Sequence, residues 1–445
     1  MPQHTELELK LIKENDELKQ HIATLEKLFN ERISDLEKRV ADLQTRLRIY
    51  ENPNTPSSKQ RFKRKPKEPN GKLGAPLGHP KWEREQPEPT KTVEHSEDAC
   101  PHCKHKLGKP IKTDRRVIEE IPKPQPIQVV EHLVNHYHCC HCGKHIVAKN
   151  NLPKGMFGHN TEALTVLFRF EDRMPLRKTV NALARWGLNM TNVCVQNISQ
   201  RTAHKLQPEY NKAIQLIRTS PVVYVDETEM PIDGKTYWLW TFTTEQVTVY
   251  VIRKSRSASV PIEILGKNYE GIITSDGHSA YRQIGAEHQR CWAHVIRESK
   301  ELNEQYSLYK CHHNNLTNIF RKVKRIRENP PPLEERMQLK EQLEKQTIAI
   351  ADALDGHKEH RQFAVKLRKA APFLFTCIIH LFVEPTNNRA ERALRELIVL
   401  RKIIGGLRRE IGARILESIA TCLTTWKQQG KTLLPTLINH LYKPS

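Results

Sequence analysis

Between residues 6 and 50, apolar side chains recur at steps of three, four or seven, as Leu11, Leu18, Ile22, Leu25 and Phe29, with no Gly or Pro between them. The rhythm resumes in a new frame at Ile33, Leu36, Val40, Leu43, Leu47 and Tyr50. This predicts a coiled coil over 1–50. The step from Phe29 to Ile33 is a four-residue stutter, which locally unwinds a supercoil, and Asn15 falls at an a-type position, where a buried amide fixes register. A single amphipathic helix folded back on the body would show the same stripe; self-association is the reading taken here. From Glu51 the periodicity vanishes into a Pro-, Lys- and Arg-rich stretch (NPNTPSSKQRFKRKPKEPNGKLGAPLGHP), read as a basic linker over 51–96 that has too few apolar residues to bury a core.

The helical period returns at 156–219. Within it, RKTVNALARWG, a turn at Gly187, and TNVCVQNISQRTAHK read as a helix-turn-helix with Asn192, Gln196, Gln200 and Arg201 on the open face of its second helix. After Pro221 the period switches to two. VVYVDET, TYWLWTFTT and QVTVYVIRK read as strands, SASVPIEILGK as a helix, GIITSDGHSAY as a strand and short helix, and HQRCW as a last strand. That β-β-β-α-β-α-β order matches an RNase H-like core over 220–296. A helical insertion follows at 297–382, including the basic NLTNIFRKVKRIRE with Lys322, Lys324 and Arg325. The core resumes at 383–426, and 427–445 reads as a short helical tail. The chain is thus expected to be a multidomain α+β protein whose α/β core is interrupted by helices and preceded by accessory modules.

In TNNRAERALRELIVLR, Thr386, Asn387 and Asn388 are candidate N-caps, and Leu394, Leu397, Ile398 and Arg401 recur at helical spacing. Glu391 lies in the first turn, where a carboxylate suits the helix dipole; its plain reading is an i,i+4 ion pair with Arg395. Two aspartates change that picture. Asp226 ends the apolar run of the first strand and Asp276 follows that of the fourth, so on neighbouring strands both carboxylates emerge at one sheet edge. Glu227 and Glu229 alternate onto the opposite face.

Charge and cysteine usage add the partners. The 445 residues carry a net charge of +21, which favours a polyanion, while aromatics at 6% argue against a protein built on base-stacking platforms. Cys100, Cys103, Cys139 and Cys142 form two C-x-x-C pairs bracketing a strand-like segment, over a module at 97–155. Four such thiolates suit one structural Zn²⁺, as in a zinc ribbon, with Cys140, His102, His105, His138 and His141 as possible substitutes. No apolar run approaches transmembrane length and the N-terminus is charged, so a cytoplasmic, nucleoid-associated protein is expected, with no membrane partner.

VYVDET, SDGHSAY, HQRCWAH and EPTNNRAERALR…RKIIGG occur in order and resemble the DDE transposases of the insertion sequence 66 family, as do the GAPLGHP linker and the paired C-x-x-C module. The resemblance implies a bacterial or archaeal protein, with Asp226, Asp276 and Glu391 as a catalytic carboxylate triad. Cys291-x-x-His294 resembles a motif of DDE families that carry a helical insertion; Cys140 departs from the pattern. Two Mg²⁺ (or Mn²⁺) ions roughly 4 Å apart would activate the nucleophile and stabilise the leaving oxygen, and carboxylates are suitable hard ligands. Arg392 and Arg395 would steady phosphate oxygens. The expected partners are double-stranded DNA (element ends and target), a second copy of the chain and accessory transposition proteins. The rivals are a non-catalytic DNA-binding scaffold and an RNase H-like nuclease without strand transfer.

Overall fold

A computed structural model of the chain describes residues 6–50, 88–89, 91–99, 101–106, 108–109, 112–115, 117–118, 127–306, 309–356 and 360–443. Most of the basic linker and Cys100 lie outside the described residues. The chain divides into two compact units, Met1–Pro122 and Lys123–Ser445.

In the first unit, α1 runs unbroken over Glu6–Tyr50. Further along, Ala99 bridges Lys106, and between them Lys104 takes the left-handed φ of 61°.

The second unit opens with β1 (His136–His138) and β2 (His145–Val147), an antiparallel hairpin in which His138 pairs with His145. Its turn carries Cys139 and Cys142 and closes on Gly143 at φ 66°. Helices α2 (His159–Val166), α3 (Leu176–Ala184), α4 (Asn192–Lys205) and α5 (Gln207–Arg218) follow, with a π-helical turn at Leu167–Glu171. Then come β3 (Val222–Ile232), β4 (Lys235–Thr243), β5 (Thr248–Arg253), α6 (Ser259–Leu265), β6 (Ile272–Ser275) and β7 (Glu287–Arg290). The strands form one mixed sheet in the order β5-β4-β3-β6-β7, antiparallel among the first three and parallel from β3 to β7.

The alternation of each strand divides the sheet into two apolar faces. Val223, Val225, Trp240, Phe242, Val249, Val251 and Ile273 share a core with α2, α4, α5 and α6. On the other face, Met230, Leu239, Tyr250 and Ile252 pack under Leu394, Leu397 and Leu400 of α12 (Asn388–Ile404). Ile272, on the β6 side, joins the core of the insertion. That insertion comprises α7 (Trp292–Gln305), α8 (Lys310–Glu328), α9 (Leu333–Asp355), α10 (Arg361–Ala370) and α11 (Thr376–Ile379). Gln289 of β7 fastens it to the sheet: its side chain donates to the Leu374 carbonyl at 3.1 Å and accepts from the Cys377 N–H at 2.7 Å.

The free edge of β5 is covered by side chains of α13 (Glu410–Gln428). The N–H groups of Thr248, Tyr250 and Ile252 donate to Thr425 Oγ1 at 3.2 Å, Thr421 Oγ1 at 3.0 Å and Glu417 Oε1 at 2.7 Å. Four residues of helix rise about 6 Å and two residues of strand about 6.8 Å, so the two repeats stay in step for three bonds. An edge that would otherwise offer bare donors is closed within the chain. The last helix, α14 (Leu433–Tyr442), buries Leu437 and Leu441 in the core shared by α2 and α4, so the tail packs as part of the helical segment.

Candidate functional site

Tyr224 and Thr274 are register partners on the parallel strands β3 and β6. Two residues beyond each stand Asp226 and Asp276, on the same face by the period of two. Each is held at its own backbone: Asp226 accepts from the Glu227 N–H at 3.0 Å and Asp276 from the His278 N–H at 2.8 Å. Gly277, at φ 91°, makes the turn after Asp276, and a Cβ there would come within 2.6 Å of the Arg290 guanidinium.

Glu391 stands in the first turn of α12, close enough for its charge to act on Asp226. The helix is placed by Asn387, the N-cap, whose side chain makes no cap bond. Instead its buried amide donates to the Val225 carbonyl at 2.7 Å, one residue before Asp226. The Asn387 N–H donates to Cys291 Sγ at 3.0 Å, and the Cys291 N–H donates to the Ser275 carbonyl at 2.9 Å, one residue before Asp276. A chain of bonds therefore joins the two aspartate strands and the glutamate helix through Asn387 and Cys291. The sequence pointed to Asn387 only as a cap; its longer-range role depends on contacts that helix-start statistics do not contain.

The electrostatics follow from this crowding. Burial, then the charges of Glu227 and Asp276 and, more weakly, Glu391, raise the Asp226 carboxyl to about 7; the Glu227 N–H opposes them. Like charges gathered in a half-dry site disfavour ionisation. Glu391 Oε1 is buried without a hydrogen bond among the described residues, as is His294 Nδ1. From α7, His294 Nε2 lies 3.8 Å and the Arg297 guanidinium 4.0 Å from Glu391 Oε1. Arg395, expected as its i,i+4 partner, makes no ion pair among the described residues and is exposed, as is Arg392. Cys291, His294 and Glu391 offer ligand atoms within 4.8 Å of one another and could together hold a metal ion.

The remaining candidates lie elsewhere. Lys322, Lys324 and Arg325 are exposed on α8. On α4, Asn192 and Gln200 are exposed and Gln196 is half-buried. Arg201, expected on the open face, is instead half-buried and bonded to buried Glu162 at 2.6 Å, so it holds α4 against α2. Glu162 also meets buried His159 at 3.3 Å.

In the hairpin of the second unit, the backbone N–H groups of Cys142 and His141, with the Cys142 side chain, hold the Cys139 thiol below its ordinary value, which suits a metal-binding thiolate. The bridges Ala99–Lys106 and His138–His145 each run from the residue before a C-x-x-C to the sixth residue after its first cysteine, and each turn has a positive φ just past the second cysteine. Two segments far apart in sequence adopt the same local turn.

The chain is strongly basic, and one mixed sheet places Asp226 and Asp276 on neighbouring strands with Glu391 on the helix fastened to them. The model of the Transposase IS66 family matches residues 154–415, more than half of the chain, and the chain belongs to that family. It is also similar to the uncharacterized protein y4jD of Sinorhizobium fredii (strain NBRC 101917 / NGR234), 24% identical over 212 residues, covering 43% of this chain and 41% of that protein. The chain therefore spans less than half the length of this curated relative. No helix among the described residues is long and apolar enough to cross a membrane.

Proposed function

We propose that the chain is a DDE transposase that binds the ends of an insertion sequence and cuts and joins DNA at Asp226, Asp276 and Glu391. The observation that carries this is their placement: Asp226 within β3, Asp276 just past the end of the neighbouring β6 and Glu391 in the first turn of α12, tied through Asn387 and Cys291, with burial and then the charges of Glu227, Asp276 and Glu391 raising the Asp226 carboxyl to about 7. The strand order, with three antiparallel strands followed by two parallel ones, supports the RNase H-like reading of the core.

The donor set fits divalent cations: the oxygens are hard, negative and, for Glu391 Oε1, buried without a hydrogen bond. Bound there, a pair of Mg²⁺ or Mn²⁺ ions would activate the attacking oxygen and neutralise the leaving one. The protein's own part is positional. Asp226 stands within β3 and Asp276 just past β6, on one face of the sheet, Asn387 fastens the start of the Glu391 helix to β3, and Arg297 brings a guanidinium to 4.0 Å from Glu391. Exposed Arg392 and Arg395, with Lys322, Lys324 and Arg325, supply phosphate contacts without reading sequence. Asn192, Gln196 and Gln200 on α4 are the candidates for reading bases, Arg201 having been taken by Glu162. The coil of α1 would join two chains, since synapsis of two ends requires two sites, and the four cysteines Cys100, Cys103, Cys139 and Cys142 would hold one zinc. Metal analysis of folded, reduced protein should then find about one zinc per chain, and none would remove the zinc reading.

The test of the activity is paired: end binding by gel shift, and Mg²⁺-dependent nicking of the same DNA. Glu391→Gln should bind as the wild type does while nicking about a thousandfold more slowly, as a loss of about 4 kcal/mol at the transition state would give. A wild-type protein that binds ends and never nicks, with Mg²⁺ or Mn²⁺, would favour the non-catalytic scaffold. Nicking without joining of the 3′-hydroxyl would favour the simple nuclease.

A further inference from the structure

The apolar stripe of α1 is bare along its described length. Leu18, Ile22, Leu25, Phe29, Ile33, Leu36, Val40 and Leu43 are between 42% and 69% exposed. Side chains of this size on one helical stripe call for a partner. The stripe also specifies which partner and in which direction, beyond the self-association already proposed, on which this inference rests.

In the heptad frame that the stripe defines, the a positions are Asn15, Ile22 and Phe29, then Ile33 and Val40 after the stutter; the d positions are Leu18 and Leu25, then Leu36 and Leu43. β-Branched residues predominate at a and leucine fills d, the arrangement that favours two parallel strands over three or four. The flanking charges agree. A parallel, in-register pair brings each g residue against the e residue five positions on in its partner. Among those pairs, Glu14 with Lys19 and Arg32 with Glu37 are of opposite charge, and His21 faces Glu26. All six are exposed and free to reach across, although Lys19 and Arg32 also touch Asp16 at 3.3 Å and Asp35 at 3.8 Å within their own helix.

The antiparallel pairing is a close competitor because the stripe is nearly symmetric about Phe29. Antiparallel, Leu18 would face Val40, Ile22 would face Leu36 and Leu25 would face Ile33, all apolar layers. Lys19 would still find Glu37, whereas His21 would meet Arg39. The layer that decides is Asn15. Antiparallel, its amide would be buried against Leu43 with no polar partner, and each of two such layers would carry the full desolvation cost of an unpaired amide. In a parallel pair the two Asn15 amides face each other and hydrogen-bond. We infer that α1 pairs with α1 of a second copy of this chain as a parallel, in-register, two-stranded coiled coil with Asn15 opposite Asn15. Both chains then continue toward residue 51 from the same end of the coil, so two copies of the candidate site are joined to one end.

The experiment uses the full chain. The L18C/V40C variant, which keeps Asn15, is oxidised mildly and the linked peptides are identified by mass, which separates the new bonds from any involving the native cysteines. Disulfides from position 18 to position 18 and from position 40 to position 40, with sedimentation at twice the chain mass, are the expected result. A link from position 18 of one chain to position 40 of the other would overturn the parallel direction while leaving self-association intact. A monomer in sedimentation, for both wild type and variants, would remove self-association and this inference with it. Three or more chains in the wild-type particle would overturn the two-stranded assignment.

Discussion

Asp226 and Glu227 are consecutive residues of one strand, and their environments are opposite. On one face of the sheet, Glu227 has a side chain only 1% exposed, and its charge is fully answered. Arg256 donates to it twice, at 3.1 and 2.9 Å, the Tyr281 hydroxyl donates to its second oxygen, and His278 lies 3.9 Å away. Burial and the Glu227 charge in turn hold the Tyr281 hydroxyl protonated, well above its ordinary range. On the other face, Asp226 has no ion pair among the described residues, and its nearest charged company is more carboxylate. A buried charge that is fully paired serves the fold, whereas a buried carboxyl set among other carboxylates with no ion pair of its own carries a cost that the fold does not recover. That difference, more than the identity of the residues, separates the site from the scaffold.

The largest expected effect tests the contrast directly. Asp226→Asn and Asp276→Asn should slow Mg²⁺-dependent nicking about a thousandfold, as Glu391→Gln does, with end binding little changed in gel shift. Loss of nicking in only one of the aspartate variants would remove the other aspartate from the reacting site.

The next effect concerns stability. Asp226 has a folded pKa of about 7 against an ordinary value of 3.8, so the folded protein binds a proton that the unfolded chain releases. The stabilisation from that proton is complete below about pH 4 and is lost as pH rises through about 7. Asp226→Asn should therefore melt higher than the wild type at pH 8 and no higher near pH 4, by differential scanning fluorimetry. Divalent metal should relieve the same repulsion: Mg²⁺ at about a hundred times its dissociation constant would stabilise the wild type by about 2.7 kcal/mol. The Asp226→Asn protein should lose most of that gain, and an equal gain in both would place the ion elsewhere.

Much of this site could be seen in the sequence, for reasons that are local. The apolar runs that end at Asp226 and precede Asp276 mark the strands, and the alternation that sets Glu227 apart from Asp226 needs no partner to be read. Glu391 lay in a recognisable helix start. What escaped was whatever depended on distant contacts. Asn387 looks like a cap in any window of sequence, and only the approach of Val225 and Cys291 turns it into the fastening of the helix. Arg201 has the appearance of an open-face residue until Glu162, far upstream, takes its guanidinium. Glu417, Thr421 and Thr425 carry the period of a helix with no sign that each will meet an N–H of the edge strand. The π-helical turn at Leu167–Glu171 had no signal that we can name.

The smallest effect is the most discriminating, because it is expected on the face that should not matter. Glu227→Gln keeps the length of the side chain; its one oxygen can accept from Arg256 while its amide nitrogen faces the Tyr281 hydroxyl, which turns from donor to acceptor, so the contacts can persist while the charge is lost. Arg256 is 42% exposed, which screens the ion pair, and the expected cost is about 1 kcal/mol of stability. Nicking at pH 8 should stay within a few-fold of wild type. One change should nevertheless cross the sheet. Glu227 is the largest charged contributor to the raised carboxyl of Asp226, after burial itself. Without that charge Asp226 should ionise at lower pH, and the acid limb of the nicking profile should move downward, so the variant retains a larger share of its own maximum at pH 6 than the wild type does. A profile that does not move, with stability lowered as expected, would mean that the two carboxylates are electrically independent. A thousandfold loss of nicking at pH 8 would place Glu227 in the reacting site and end the distinction between the two faces.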